Sequence, residues 1–130
     1  MYLDSSSIVA IIAGEPERDD LIQRLAVAPK RATSVVTVFE TILALARKTS
    51  DRENAPRQVQ SFLRAADIDI LPVDTTCMEF FLGVFQKYHR GSGHPGAKLN
   101  FGDCVTYAMA KTHNLKILYK GNDFAQTDMA

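Results

Sequence analysis

The sequence predicts an α/β domain with a short parallel sheet and helices on its faces, and three observations lead there. Short apolar runs alternate with longer stretches of helical periodicity, the habit of strands joined by helical crossovers. The apolar runs are each only a few residues long. The chain of 130 residues shows no internal repeat, low-complexity tract or linker, so residues 1–130 read as a single domain, long enough to bury roughly two-thirds of its unfolded surface.

Taken in order, strands are expected at residues 1–4, 31–34, 67–73 and 116–119. "SSSIVAIIAG" reads as a serine-capped helix stopped by Gly14, and "EPERDDLIQRLAVA" as an amphipathic helix with Leu21, Ile22 and Leu25 turned inward. A third helix is expected over residues 38–48, where Val38, Ile42 and Leu45 recur at helical spacing beside Phe39, Leu43 and Ala46. A face that wide meets two neighbours. "ENAPRQVQSFLRAA" and "TTCMEFFLGVFQKYHR" supply two more helices, with Phe80, Phe81, Phe85 and Tyr88 assigned to the core, and "FGDCVTYAMAKTHN" the last. Residues 8–13 lack a polar face, so that helix is expected to be deeply buried or, with Val38, Phe39 and Leu43, partly covered by a second chain.

Bulk composition excludes several classes of function. The content is 46% hydrophobic and 23% charged, as in a globular protein, and no stretch approaches the roughly 20 apolar residues that span a membrane. The first residues read as a folded strand rather than a signal peptide, and a cytoplasmic setting is expected. Cys77 and Cys104 form no Cys-x-x-Cys pair and are expected as reduced, buried small side chains. Fifteen basic residues balance fifteen acidic ones, which argues against a surface built for non-specific duplex binding. One stretch departs from the balance: "KYHRGSGHPGAKLN" carries Lys87, Arg90 and Lys98 with His89 and His94 and no acid.

The acids fall in a pattern. Asp4 closes the first strand, Glu40 lies in the first turn of the expected third helix, Asp103 opens the last long helix, and Asp123 follows the final strand. Open α/β sheets bind ligands outside the carboxyl ends of their strands. In a parallel sheet all four acids face that edge. Each has a structural explanation by itself: Thr37-x-x-Glu40 and Asn100-x-x-Asp103 have the outline of capping boxes, Asp4 suits an N-cap, and Asp123 suits a turn.

Together they are costly. Two carboxylates 4 Å apart repel by up to about 4 kcal/mol at an effective dielectric near 20, several times what a cap returns. A cluster of this kind takes up protons or holds cations, and hard oxygen ligands suit Mg²⁺ or Mn²⁺. The reaction class suggested is metal-assisted hydrolysis of a phosphodiester.

With "YLDSSS", "TSVVTVFET", "LNFGDCVTYAMAK" and "ILYKGNDFAQTD" assembled, the chain resembles the PIN-domain ribonucleases, and among them the VapC-like toxins of bacterial toxin-antitoxin pairs. The resemblance extends over essentially the whole chain in order and spacing. It implies a three-layer α/β/α sandwich with a short, mostly parallel central sheet. It also implies a Mg²⁺- or Mn²⁺-dependent endoribonuclease acting on RNA, a homodimer, and a small antitoxin as partner. The family pattern places metal-binding, catalytic acids at Asp4, Glu40, Asp103 and Asp123, with Asp128 as a competitor for the fourth place. Supporting positions are Ser5, Ser34 or Thr37, and Asn100, while Lys87, Arg90 and Lys98 are assigned to the RNA backbone.

Other chemistries fit less well. The serines lack a Gly-x-Ser-x-Gly elbow and a plausible base. His89 and His94, five residues apart in a glycine-rich loop, make a poor zinc pattern, and His113 reads as a helix C-terminal residue. A phosphatase or phosphotransferase with Asp4 as nucleophile would resemble haloacid dehalogenase-like enzymes, but those carry a second Asp where Ser6 stands. A non-catalytic partner-binding module with this fold would have no need of so repulsive an acid set.

Overall fold

In the computed structural model, which describes residues 1–130, four short strands form one parallel sheet. They are β1 (Tyr2–Leu3), β2 (Ala32–Ser34), β3 (Asp69–Leu71) and β4 (Ile117–Leu118), in the spatial order β3-β2-β1-β4. Tyr2 pairs with Ala32 on one side and Ile117 on the other, and Ala32 with Asp69. The helices are α1 (Ser5–Ala13), α2 (Arg18–Ala26), α3 (Val35–Thr49), α4 (Ala55–Ala65), α5 (Met78–Lys87) and α6 (Phe101–Thr112), with one 3₁₀ turn (Thr75–Cys77) before α5.

Alternation along the strands divides the core. Leu3 and Leu118 belong to one cluster with Ile8, Ile11, Leu21, Leu45, Val59 and Leu63 from α1–α4. Tyr2 and Ile117 belong to a second with Val84, Cys104, Val105 and Met109 from α5 and α6. Helices thus cover both faces of the sheet, which is the expected three-layer α/β/α sandwich. Cys77 and Cys104 are free and buried, as the sequence indicates. No helix is long and apolar enough to cross a membrane.

Several element boundaries differ from the sequence expectation. Asp4, rather than a serine, caps α1, accepting a bond from the Ser6 amide at 3.0 Å. Gly14 ends α1 in the left-handed region at φ 70°, as its position suggests. Helix α3 begins at Val35, earlier than residue 38, because Ser34 turns directly from β2 into an N-cap and accepts from the Thr37 amide. The β-branched run Val35, Val36, Thr37, Val38 conceals that start, since such residues are weak helix formers. Strand β3 is shorter than residues 67–73: Asp67 sits at φ 53°, and Pro72 has no amide to extend the ladder.

Burial also corrects parts of the expected core. Ile8, Ala10 and Ile11 are buried within the chain itself, so much of the apolar run 8–13 is core. Ile22 and Phe85, expected inside, are 37% and 64% exposed. Phe85 instead joins Met78 and Leu82 in an outward stripe on α5, and α3 shows a second outward stripe of Val35, Phe39 and Leu43.

Candidate active site

The strand order reverses at β1, from which successive strands are added outward on one side before the chain returns to place β4 on the other. Ligand crevices in open α/β sheets lie at the carboxyl ends of strands at such a switch. Asp4 occupies that place. Its backbone amide donates to the Leu118 carbonyl at 3.0 Å, tying it to the end of β4. The side chain is 3% exposed. One carboxylate oxygen accepts from the Thr106 hydroxyl at 2.7 Å, and the other accepts from both the amide and the hydroxyl of Ser6. A carboxylate held through both oxygens and nearly enclosed has little freedom to act as a nucleophile, but its direction is fixed.

Glu40 reaches the same edge from the second turn of α3. With Ser34 as cap, Thr37 occupies N3, so Glu40 lies too far along to close a capping box with Thr37. The structural explanation for Glu40 is thereby removed. Its carboxylate lies against the backbone of Gly102: a Cβ built there would stand 1.6 Å from Oε2. Burial raises the Glu40 pKa, the Ser5 hydroxyl opposes the rise, and the charge of Asp4 adds to it. The glycine therefore admits a charge from α3 to the start of α6.

Asp103 combines a structural and an electrostatic role. The capping box is complete: the Asn100 side chain accepts from the Asp103 amide at 2.9 Å, and the Asp103 side chain accepts from the Asn100 amide at 3.0 Å. Asp103 is 9% exposed, and burial pushes its carboxyl up to about 6 against the opposing Asn100 amide bond, with Asp4, Asp123 and Glu40 adding to the rise. That carboxyl registers the other three acids, which places all four in one electrostatic neighbourhood. The positive ends of α1 and α6 at the same edge offset part of the repulsion.

The two C-terminal aspartates part company. Asp123 lies in the exposed turn after β4, where its charge acts on Asp103. Asp128 is turned elsewhere: burial raises its pKa, but hydrogen bonds from Lys111 and Tyr107 more than reverse this, and its amide donates to the Tyr88 hydroxyl.

The remaining residues singled out in the sequence occupy definite places. Ser5 serves Glu40 and Asn100 serves Asp103. Ser34 and Thr37 are fully enclosed and engaged with the Tyr2 hydroxyl, each at 2.8 Å. Arg90 and Lys98 are exposed and form no ion pair, and Lys87 lies 4.9 Å over the Tyr88 ring. A bridge between His89 and Leu99 closes the loop on itself, so Lys98 stands just before the Asn100 cap. His113 is the C-cap residue of α6.

Two residues escaped the sequence reading. Thr106 was available as a hydroxyl one helical turn past Asp103, and Ser6, rather than Ser5, holds Asp4. Neither position carries a distinctive motif.

No lysine, arginine or histidine forms an ion pair with Asp4, Glu40, Asp103 or Asp123. Nor do three of them close into a ready-made ion cage, so the tight contact expected from the sequence is relaxed. Mg²⁺ ordinarily takes one or two carboxylates and keeps several waters, so a looser ring of oxygen donors suits it. The donor set is all oxygen, anionic and without a protein counter-charge, which fits a hard divalent cation.

Comparison with known proteins agrees with this architecture. The PIN domain family model matches residues 1–129. A VapC ribonuclease of Rhizobium meliloti is 37% identical, with 98% of each chain covered. Ribonuclease VapC42 of Mycobacterium tuberculosis is 34% identical over 99% of this chain and 96% of its own. The crystal structure of VapC20 from Mycobacterium tuberculosis, a toxin that cleaves the sarcin-ricin loop, superposes with a TM-score of 0.72 at 17% identity, covering 95% of this chain and 92% of that one.

Proposed function

The chain belongs to the PIN domain family, and from that premise we propose that it is a divalent-cation-dependent endoribonuclease, the toxin of a toxin-antitoxin pair. One observation carries the reading: Asp4, Glu40, Asp103 and Asp123 share an electrostatic neighbourhood at the carboxyl edge of the sheet with no protein cation to neutralise them. These four acids hold Mg²⁺ or Mn²⁺, directly or through water. The chemistry such an ion supplies when bound is activation of water and stabilisation of the leaving oxygen of a phosphodiester.

The chain's own residues do the rest. Ser6 and Thr106 fix the direction of Asp4, Asn100 fixes Asp103, and the glycine at 102 gives Glu40 access. Arg90 and Lys98, exposed and unpaired, with Lys87 at the end of α5, contact the phosphates of RNA and orient it toward the acids. Asp123 rather than Asp128 is the fourth acid, because Asp128 is already paired with Lys111. The apolar stripe Val35, Phe39, Leu43 on α3 is the surface for a second copy or for the antitoxin, and the protein works in the cytoplasm.

The deciding experiment is incubation of the purified protein with total cellular RNA in Mg²⁺, in Mn²⁺ and in chelator, with Asp4→Asn in parallel. Cleavage that needs a divalent ion and is lost in the variant is expected. RNA left intact in both metals, or full activity in Asp4→Asn, would overturn the proposal.

A further inference from the structure

Lys120 has two attachments at once. It lies two residues past the end of β4, and its backbone amide donates to the Ser6 hydroxyl at 3.0 Å, the same hydroxyl that donates to Asp4. Its side chain runs the other way, to the corner between α1 and α2, where the ammonium pairs with Glu15 and, at 3.5 Å, with Glu17. Glu15 is only 13% exposed and also takes Lys48 from the end of α3 at 2.6 Å. Three separate parts of the fold therefore meet at one carboxylate.

What Lys120 carries matters more than the pairing itself. Gly121 at φ 93°, Asn122 and then Asp123 follow it in an exposed turn. The side chain of Asp123 forms no ion pair with the rest of the chain, and its charge acts on Asp103. The turn is thus anchored at its start, through Lys120, while its tip carries an unpaired carboxylate beside the acidic site. We propose that Lys120 is a positioning residue for the acidic site: clamped by Glu15 and Glu17, it holds the turn bearing Asp123, and through Ser6 the Asp4 carboxylate, in place for a divalent cation.

The inference rests on the cation-binding reading above. Residues that orient ligands without touching the metal typically change affinity by about 10–100-fold when removed. A surface ion pair of merely structural use changes it little. The two cases are separable because Glu15 has two lysine partners and only one of them leads to the acids.

Mn²⁺ binding to the full-length protein, followed by electron paramagnetic resonance of the free ion and by calorimetry, supplies the test. Lys120→Met is expected to weaken Mn²⁺ binding by about 10-fold or more. Lys120→Arg, which restores a cation to Glu15, should recover most of the loss. Lys48→Met removes the other partner of Glu15 and should bind Mn²⁺ as the unaltered protein does. Unaltered affinity in Lys120→Met, or an equal loss in Lys48→Met, overturns the positioning role while leaving the ribonuclease reading intact. An unaltered protein that binds no Mn²⁺ overturns both.

Discussion

Asp103 holds a helix cap and a share of the acid cluster on one carboxylate, and the two demands conflict. The cap needs an acceptor oxygen, which an amide also provides; the charge is what burial and the neighbouring acids oppose. Its folded pKa near 6 lies above the ordinary value of 3.8, so the folded chain retains a proton that the unfolded chain gives up. Stability therefore falls as pH rises from about 4 to about 6, and the penalty stays in full above that. In chelator, Asp103→Asn is expected to be more stable than the unaltered protein at pH 7.5 by on the order of 2 kcal/mol, less a few tenths for the weaker helix-dipole term, with the difference vanishing near pH 4. Melting temperatures across that range check it, and RNA cleavage should be lost in the same variant. Thr106 supplies the complementary case. Thr106→Val leaves one oxygen of buried Asp4 without its donor, at a cost of about 1–3 kcal/mol, and should slow cleavage by about 10–100-fold. A cleavage rate within twofold of normal would show that Asp4 needs no such orientation.

The contact between α3 and α6 shows which parts of the elements the sequence could reveal. Helical periodicity marked every helix, because the apolar stripes that fill the two cores recur at the right spacing. The start of α3 was hidden by its β-branched first turn, and with it the fact that Glu40 cannot cap its own helix. Asn100-x-x-Asp103 was legible as a capping box because its partners stand only three residues apart, the N-cap and N3 of one helix. The meeting of Glu40 with Gly102 was not, since nothing local distinguishes a glycine that admits a distant carboxylate. Gly102→Ala tests that meeting. Alanine favours a helix over glycine by about 1 kcal/mol, so the variant should melt no lower than the unaltered protein. Yet its methyl occupies the place of the Glu40 oxygen, and the carboxylate must move aside. Cleavage is expected to fall at least tenfold with the melting temperature unchanged or raised. Loss of stability together with activity would instead mark Gly102 as a packing residue.

Across the whole molecule, a sheet of two- and three-residue strands brings together acids separated by up to 119 residues (123 − 4). The sequence disclosed the edge on which they gather, because a parallel sheet puts the carboxyl ends of all its strands on one side. It could not disclose the spacing, which depends on long-range hydrogen bonds such as those from the Thr106 hydroxyl to Asp4 and from the Lys120 backbone amide to the Ser6 hydroxyl. The resulting arrangement is too open to form a ready-made cage, yet the acids are close enough to add to the burial that raises the pKa values of Glu40 and Asp103. On the proposed cation-binding reading, a cation and a proton compete for the same oxygens. Above pH 6 Asp103 is ionised and free to ligate; below it, a proton must leave before an ion can bind. A ligand at 100 times its dissociation constant stabilises a fold by about 2.7 kcal/mol, so Mn²⁺ should raise the melting temperature clearly at pH 7.5. The increment should shrink steeply between pH 6.5 and 5, within roughly a unit of the Asp103 value. It should also be absent in Asp4→Asn at every pH. Calorimetric scans with and without Mn²⁺ measure both trends, and an increment independent of pH would mean that the ion binds somewhere other than this ring of carboxylates.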